Sequence, residues 1–279
     1  MFGLSKIIMN NKFLVSIVIP TKDSAYFLEN CLKSIKKQSY KNIEIIVIDN
    51  NSRDDTKEIA RKYTKLVFNK GPERSAQRNF GALKSKGKYL FFVDSDMELS
   101  KKVVEECVQM SKINKIGGVV IPELSFGKGF WARCKTLERS FYVGVDWIEA
   151  ARFFKRNVFE EFNGFDVSLI SGEDWDLSQK VKSKYDIGNI KSYIFHNEGN
   201  LSLIHLLNKK KYYGSKIKLY SSKKNNSRIF SKQSSIIERY KLFFSRPKKL
   251  FADPILGFGM LFMKTCEFGV GAFGYLKHT

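Results

Sequence analysis

The sequence is poor in residues that form disulfide bonds or zinc sites. Its four cysteines, Cys31, Cys107, Cys134 and Cys266, are far apart and form no C-x-x-C pair. This spacing favours neither a disulfide framework nor a zinc module, and it is typical of proteins in a reducing cytosol. The first twelve residues, "MFGLSKIIMNNK", lack the long apolar segment of a signal peptide, so we expect no secretion.

Acidic residues are scarce relative to basic ones. The chain has 28 Asp and Glu against 49 Lys and Arg, which gives a net charge of +21. The excess is concentrated between Lys209 and Lys249, where fourteen Lys or Arg accompany one acid, Glu238. Since 43% of the residues are hydrophobic and 14% are aromatic, the chain is expected to fold. We therefore predict a domain over 1–200, closer to neutral, and a basic, aromatic, mainly helical extension over 201–279.

Strands and helices alternate in the first third of the chain. Apolar, β-branched runs lie at 13–20, 43–48, 65–69 and 89–93, and helical segments separate them. In the first such segment Phe27, Leu28, Cys31, Leu32 and Ile35 recur at helical spacing. This alternation predicts an α/β fold with a mostly parallel sheet. Farther along we predict a fifth strand in "IGGVVIPEL", a helix beginning at about Glu173 and a strand ending at His196.

Polar residues follow three of these strands, at the edge of a parallel sheet where ligands bind. They are Thr21 and Asp23, then Asp49, Asn51 and Ser52, then Asp94 and Asp96. Carboxylates grouped after a buried strand repel one another, so we expect a compensating positive charge. A Walker B strand would need a P-loop, and the nearest candidate, "GALKSKGKY", has the wrong spacing and precedes a strand.

Five short segments follow one another in a recognisable order. They are "VSIVIPTKD", "VIDNNSRDDT", "SAQRNFG", "DSD" and "NGFDVSLISGEDWDLSQKV". Together they resemble the family-2 glycosyltransferases: an opening strand, a V-D-D-G-S-x-D-x-T segment, an A-R-N-x-G helix, a D-x-D motif and a G-F-D-E…G-E-D-x-D-L stretch. The resemblance covers about residues 13–200. The sequence departs from the family pattern at Asp23, Asn50 and Asn51, where the family commonly has Asn, Asp and Gly.

The resemblance implies a GT-A fold, in which a Rossmann-like mixed sheet flanked by helices binds a nucleotide. That part would be 13–121, and 122–200 would bind the acceptor. The implied activity is inverting transfer of a sugar from a nucleotide-diphosphate sugar, with a UDP-sugar expected, to a hydroxyl of a glycan or lipid-linked acceptor. Asp49 would contact the base, although the departure at Asn50 leaves that assignment open. The implied nucleotide-sugar contacts are Pro20, Thr21, Asp23, Asp49, Asn51, Ser52, Gln77, Arg78, Asp94 and Ser95.

The resemblance also assigns a metal site and a general base. Asp94 and Asp96 offer oxygen ligands suited to Mn²⁺ or Mg²⁺, which would supply the compensating charge and stabilise the departing diphosphate. Asp96 is the firmer ligand, and His196 is expected to add another, as in some relatives. Inversion needs a carboxylate that accepts the proton of the acceptor hydroxyl. The resemblance places it at Asp174, with Glu173 as the alternative.

The apolar segment Pro254 to Leu276 is open to two interpretations. Lys264 and Glu267 in its middle argue against a membrane span. It either lies at an anionic membrane face beside the basic segment or packs back on the catalytic domain. The expected location is the cytoplasm, with peripheral attachment to the cytoplasmic face of the membrane in the first case. Nucleic acid is not an expected partner, because no nucleic-acid motif accompanies the basic segment. The alternative function is an inactive glycosyltransferase-like protein that binds an anionic membrane surface or nucleic acid.

Overall fold

The computed structural model of the chain describes residues 13–223 and 226–276. Within them the strands are β1 (Val15–Thr21), β2 (Ile43–Asp49), β3 (Val67–Asn69), β4 (Tyr89–Phe92), β5 (Met97–Leu99), β6 (Ile116–Val120), β7 (Glu123–Lys128), β8 (Ala151–Lys155), β9 (Asp186–Asn189) and β10 (Ile194–Asn200). The helices are α1 (Ala25–Lys36), α2 (Thr56–Arg61), α3 (Arg74–Lys84), α4 (Val103–Met110), α5 (Phe130–Ser140), α6 (Arg156–Glu161), α7 (Glu173–Lys182), α8 (Leu203–Lys216), α9 (Lys218–Ser222), α10 (Ser227–Ser234), α11 (Ile236–Phe244), α12 (Pro247–Leu250) and α13 (Pro254–Leu276). The first twelve residues, on which the expectation about secretion depends, lie outside the described residues.

The main sheet has seven strands in the order β3-β2-β1-β4-β8-β6-β9. The first four of these are parallel, which confirms the predicted alternation of strands and helices. β8 runs antiparallel to both β4 and β6, so the complete sheet is mixed. Because β1, β2 and β4 run in the same direction, their carboxyl ends meet at one edge, where Thr21 lies opposite Asp49. The polar residues that follow these strands are therefore neighbours in space.

Both faces of the sheet are covered by apolar side chains. Every residue of β1 is buried, with Ile17 in the cluster on one face and Val18 in the cluster on the other. Such two-sided burial is why the strand appears as a continuous apolar run. The predicted helical positions of α1, among them Leu28 and Leu32, are buried against the first cluster. Each such side chain contributes about 1.5–3 kcal/mol to folding.

A second sheet, in the order β5-β10-β7, brings distant parts of the chain together at the same edge. In it His196 lies opposite Met97, the residue after Asp96, and Ile194 lies opposite Glu123. The predicted strand ending at His196 is longer than expected: β10 continues to Asn200 because it pairs with β7 beyond that point. The predicted fifth strand is divided into β6 and β7 at Pro122, which has no N–H to donate to a sheet.

The C-terminal extension is helical, as predicted, and it packs on the rest of the protein. α13 packs mainly on α8 and also on α5. They share a hydrophobic cluster with α11 and α12 that contains Cys134, Phe141, Leu206, Phe243, Leu250, Met260 and Met263. Packing is therefore continuous across residue 200.

Two charges in the middle of α13 are buried by this packing. Lys264 Nζ lies 2.7 Å from Glu138 Oε1, and Glu267 Oε1 lies 2.9 Å from Lys135 Nζ. By length and composition alone, α13 is the one helix among the described residues that could span a membrane. These ion pairs instead support the interpretation that it packs back on the catalytic domain. One stripe of the helix remains exposed, and it includes Ile255, Phe258, Phe262 and Phe273.

Candidate active site

The buried carboxylate of Asp49 joins the loops after β1 and β2 through hydrogen bonds. Asp49 Oδ1 accepts hydrogen bonds from Thr21 Oγ1 at 3.0 Å and Ser52 Oγ at 2.5 Å. Its Oδ2 accepts one from the Ser52 N–H at 2.8 Å. Ser52 Oγ in turn accepts a hydrogen bond from the Asp23 N–H at 2.8 Å. Four of the predicted nucleotide-sugar contacts therefore form one hydrogen-bonded group.

Backbone geometry explains one departure from the family pattern in these loops. Asn51, which replaces the usual glycine, has a φ of 50°, and Asp23 has a φ of 45°. Asn and Asp tolerate this left-handed conformation better than most residues, so Asn51 serves where glycine is common.

The remaining predicted contacts at this end lie beside that group. The side-chain amide of Gln77 donates to the carbonyl oxygens of Ile48 at 2.6 Å and Thr21 at 3.0 Å, which fixes α3 to the strand ends. Pro20 is a buried residue of β1. Ser95 Oγ lies 3.0 Å from Ser24 Oγ.

Arg78 joins the D-x-D motif to the beginning of α7. Its guanidinium is fully buried, with Nη2 2.7 Å from Asp94 Oδ1 and Nη1 2.8 Å from Asp174 Oδ1. Nη1 also lies 3.3 Å from Glu173 Oε1. Burial alone would raise the pKa of Asp94, but Arg78 and Arg152 lower it well below its usual range. Asp94 is therefore ionised in the folded protein.

Part of the compensating charge expected beside Asp94 is arginine, and sequence reasoning did not identify all of it. Arg152 Nη1 lies 3.3 Å from Asp94 Oδ2, and Arg152 Nη2 lies 3.4 Å from Glu123 Oε2. Glu123 Oε1 also pairs with Arg139 Nη1 at 2.8 Å. Burial would raise the pKa of Glu123, but Arg139 and Arg152 lower it well below its usual range. Two sequence signals existed: Glu123 follows an apolar run, as Asp94 does, and Arg152 interrupts the apolar strand β8.

Asp96 and His196 lie side by side. His196 Nε2 is 3.2 Å from Asp96 Oδ2, and His196 Nδ1 is 3.0 Å from Glu123 Oε1. Burial would lower the pKa of His196, but the nearby Asp96 carboxylate raises it to about 9. Asp96 Oδ1 is buried and has no hydrogen-bond partner among the described residues. Because buried polar atoms normally have a partner, Asp96 Oδ1 is a candidate ligand for a bound group such as a metal ion.

The predicted general base and its alternative differ in exposure. α7 begins after Gly172, which has a φ of 84° and whose position leaves no space for a Cβ beside the Tyr220 ring. The Glu173 side chain is only 4% exposed and contacts Arg74 Nη2 at 3.3 Å, whereas Asp174 is 27% exposed. Burial and the neighbouring Asp174 charge raise the pKa of Glu173.

A cavity of about 410 Å³ borders these residues. Asp174, Arg152 and His196 line one side, and α8, α11 and α13 supply much of the opposite side. The residues from these three helices are Leu206, Lys209, Lys210, Tyr213, Arg239 and Lys264. The cavity therefore places a partly exposed carboxylate, Asp174, and the His196 imidazole beside a space that can hold a small polar substrate.

Comparison with protein families gives one match over much of the chain. A family model described as "Glycosyl transferase family 2" matches residues 16–166, which is more than half of the sequence. The poly(ribitol-phosphate) beta-N-acetylglucosaminyltransferase TarP of Staphylococcus aureus is 29% identical over 53% of this chain and 50% of its own length. The GalNAc(5)-diNAcBac-PP-undecaprenol beta-1,3-glucosyltransferase of Campylobacter jejuni is 28% identical over 61% of each chain. The chain thus spans 50% to 61% of the length of these two relatives, and 28% of the Streptococcus pneumoniae glycosyltransferase GlyA.

Solved structures show the same fold at low sequence identity. The mannosyltransferase PcManGT from Pyrobaculum calidifontis, in complex with GDP-Man and Mn²⁺, superimposes with a TM-score of 0.64 at 15% identity, over 96% of this chain and 88% of that one. S. aureus TarS 1-349 in complex with UDP-GlcNAc gives a TM-score of 0.53 at 16% identity, over 95% and 91%. These similarities confirm the predicted GT-A fold.

Proposed function

This chain belongs to glycosyl transferase family 2, and on that premise we propose that it transfers a sugar from a nucleotide-diphosphate sugar to an acceptor hydroxyl with inversion. The observation that carries the proposal is the contact of Arg78 with both Asp94 and Asp174, because one buried cation holds the D-x-D motif against the predicted base. A UDP-sugar is the proposed donor. A hydroxyl of a glycan or lipid-linked molecule is the proposed acceptor.

The nucleotide is proposed to bind where the loops after β1, β2 and β4 meet. Pro20, Thr21, Asp23, Asp49, Asn51 and Ser52 form the base and ribose end, and Gln77, Arg78, Asp94 and Ser95 lie toward the phosphates. Asp49 already accepts three hydrogen bonds from Thr21 and Ser52. Its principal contribution in this proposal is to hold the loops in a binding conformation, so Asp49→Ala should weaken nucleotide binding. The experiment described below includes this variant.

A divalent cation fits beside Asp96. The unpartnered Asp96 Oδ1 is an oxygen ligand that suits Mn²⁺ or Mg²⁺. His196, whose ring nitrogens contact Asp96 and Glu123, would have to lose a proton to add a nitrogen ligand for Mn²⁺. No group of three His, Cys, Asp or Glu side chains in 13–223 and 226–276 is arranged as a metal site, so donor phosphates would have to complete the coordination. Asp94, the third predicted ligand, is engaged by two arginines. When bound, the cation would stabilise the negative charge of the departing diphosphate.

Asp174 is the proposed general base. It is the more exposed of the two carboxylates and lines the cavity. The acceptor oxygen would attack the anomeric carbon as the bond to the diphosphate breaks, and Asp174 would take the hydroxyl proton. Arg78 donates to Oδ1 of this carboxylate, which leaves Oδ2 to accept the proton of the acceptor hydroxyl. Glu173, buried against Arg74 and Arg78, is better suited to hold those arginines in place.

Two measurements on a set of matched variants test this proposal. Thermal stability with UDP, GDP, dTDP or CMP, each with and without Mn²⁺, should show a metal-dependent increase for one nucleotide. That increase should be lost in Asp96→Asn, weakened in Asp49→Ala and kept in Asp174→Asn. Turnover, measured as release of the nucleotide, should fall by a factor of about 10² or more in Asp174→Asn.

The control is Asp186→Asn, which removes an exposed carboxylate at the start of β9. It should retain both nucleotide binding and turnover. Full activity in Asp96→Asn would show that the metal assignment is wrong. Loss of nucleotide binding in Asp174→Asn would instead assign that residue a structural role.

We also propose that the protein acts in the cytoplasm and that the exposed stripe of α13, the face that is not packed on the domain, attaches it to the cytoplasmic face of the membrane. The supporting feature is the exposed stripe on α13, in which Phe258 and Phe262 are 65% and 56% exposed, next to the basic segment. The protein should float with anionic vesicles and not with zwitterionic ones, and Phe258→Ser should weaken flotation. Equal recovery with both vesicle types would refute this attachment.

A further inference from the structure

The side of the cavity formed by α5 and the C-terminal helices α8, α11 and α13 carries more positive than negative charge. Lys135, Lys210, Arg239 and Lys264 line it, and the carboxylates that pair with them are Glu138 and Glu267. We call these four cations the cationic wall. Four buried or half-buried cations against two carboxylates leave an excess of positive charge facing the cavity, which is costly without an anion.

Arg239 is the least compensated member of the cationic wall. Arg239 is only 7% exposed. Nη2 donates to the Gln233 carbonyl at 3.1 Å, and Nε has no hydrogen-bond partner among the described residues. The guanidinium lies between the rings of Tyr142 and Trp147, at 4.8 and 4.9 Å from their centroids. The rings fix its plane but supply no counter-charge equal to a carboxylate.

Lys210 is also only partly compensated. Its Nζ lies 3.9 Å from Glu267 Oε2, an oxygen that Lys264 approaches to 2.7 Å. Glu267 raises the pKa of Lys210, but burial and the charges of Lys135 and Lys264 lower it to about 8. The side chain is 41% exposed, so Lys210 remains available to a ligand in the cavity.

We propose that the cationic wall binds a phosphate group of the acceptor, so that the acceptor is a phosphate-bearing molecule. This inference rests on the proposed glycosyl transfer, because the cavity that contains the wall also contains Asp174. A guanidinium with a fixed plane and a nearby ammonium group are the donors that bind phosphate oxygens well. The two sources of such a phosphate are a phosphodiester-linked polyol and a lipid diphosphate.

In the transfer step the acceptor phosphate is held and is not consumed. The acceptor oxygen forms a bond to the anomeric carbon, the bond from that carbon to the donor diphosphate breaks, and the hydroxyl proton goes to Asp174. The wall therefore acts by positioning the acceptor. Its loss should raise the KM for the acceptor more than it lowers kcat.

Calorimetric titration of the full chain tests the proposal. The protein is first saturated with Mn²⁺ and the nucleoside diphosphate that stabilises it, which occupies the donor side. Glycerophosphoglycerol, geranyl diphosphate, glucuronate and glycerol are then titrated separately. The variants are Arg239→Gln, Arg239→Lys and Lys210→Gln. The control is Lys216→Gln, which removes an exposed lysine from α8.

The expected result is binding of at least one phosphate compound that is weakened about tenfold or more in Arg239→Gln and Lys210→Gln, as expected for one lost charge-assisted hydrogen bond. Arg239→Lys should lose less, and Lys216→Gln should bind normally. Preference for glycerophosphoglycerol indicates the polyol source, and preference for geranyl diphosphate indicates the lipid source. If Arg239→Gln does not fold, Lys210→Gln carries the test, because its side chain is half-exposed.

Three results would overturn the proposal: no phosphate compound binds the nucleotide-loaded protein, binding is unchanged in Lys210→Gln, or glucuronate binds as tightly as the phosphate compounds. These results are distinct from failure of the proposed function. If the proposed function is wrong, the nucleotide and Mn²⁺ will not stabilise the wild-type chain at all. The same titrations on the protein without nucleotide would still decide whether the cationic wall binds phosphate.

Discussion

Replacing Arg78 with alanine removes a fully buried cation from three carboxylates. The distances that are lost are 2.7 Å to Asp94, 2.8 Å to Asp174 and 3.3 Å to Glu173. Asp94 keeps Arg152, whereas Asp174 keeps no ion pair among the described residues. Removing one partner of a buried ion pair typically costs about 3–5 kcal/mol. We expect a loss of that size at pH 7, with a fall in Tm of roughly 6–20 °C.

The pH dependence of this loss distinguishes electrostatics from packing. In the wild type the pKa of Asp94 is held below its unfolded value, so its contribution to stability is present above about pH 4 and is lost as the pH falls through the folded pKa. The difference in free energy of unfolding between wild type and Arg78→Ala should therefore be largest at pH 7 and narrow below about pH 4. Urea unfolding of the two proteins, followed by circular dichroism at pH 7 and below pH 4, measures this difference.

The control for this experiment is Arg61→Ala on α2. Arg61 is exposed and lies 3.7 Å from Glu58, so its loss should change stability by no more than about 0.5 kcal/mol. A cost for Arg78→Ala as small as that of the control would refute the reasoning. A difference that widens as the pH falls would do the same.

Two further substitutions test the C-terminal contacts. Gly172→Ala should lower the free energy of urea unfolding by more than Gly144→Ala does. Both positions have a positive φ near 80°, which costs about 1–3 kcal/mol of backbone strain for alanine, but only at 172 would the new Cβ lie 2.7 Å from an atom of the Tyr220 ring. Equal losses of stability in the two variants would contradict the predicted clash. Glu138→Gln should lower the free energy of unfolding by about 3–5 kcal/mol at pH 7. Burial raises the pKa of Glu138, but two lysines hold it well below its usual range, so in the wild type the contribution of this carboxylate to stability is lost as the pH falls below about 4.5. The variant should therefore lose less stability than the wild type on acidification, and an equal loss would contradict this.

Much of the fold followed from local patterns in the sequence. The apolar runs and the helical spacing in the first third of the chain predicted β1 to β4 and the helices between them. The same reasoning did not predict β8, and it missed β5 and β9. β5 and β9 are three and four residues long, and such short strands have no periodicity of their own. Their pairing with β10 and β6 decides their conformation.

The site was less accessible to sequence reasoning, because its electrostatics depend on distant residues. The sequence indicated that Asp94 needs a positive charge but not that Arg152, 58 positions later, supplies part of it. β8 brings Arg152 there by pairing antiparallel with β4, and no local pattern specifies that register. The same holds for α13. The sequence of this helix, with Lys264 and Glu267 in its middle, fits an interfacial helix as well as a packed one. The packed arrangement is recognised only from the contact of Lys264 with Glu138, which lies 126 positions away in sequence. The assigned roles of the site residues stay predictions.

The cavity is built from two parts of the chain that meet in space but are separated in sequence. One side comes from the sheet edge with His196 and from the start of α7 with Asp174, and the other comes from the helices after residue 200, anchored to Lys135 and Glu138 of α5. Under the proposed function, a change of acceptor preference made by exchanging this side of the cavity would have to move α5 together with the C-terminal helices. A chimera joined at residue 200 would separate Lys264 and Glu267 from Glu138 and Lys135 of α5, whereas one that also exchanges 130–140 would keep these ion pairs intact.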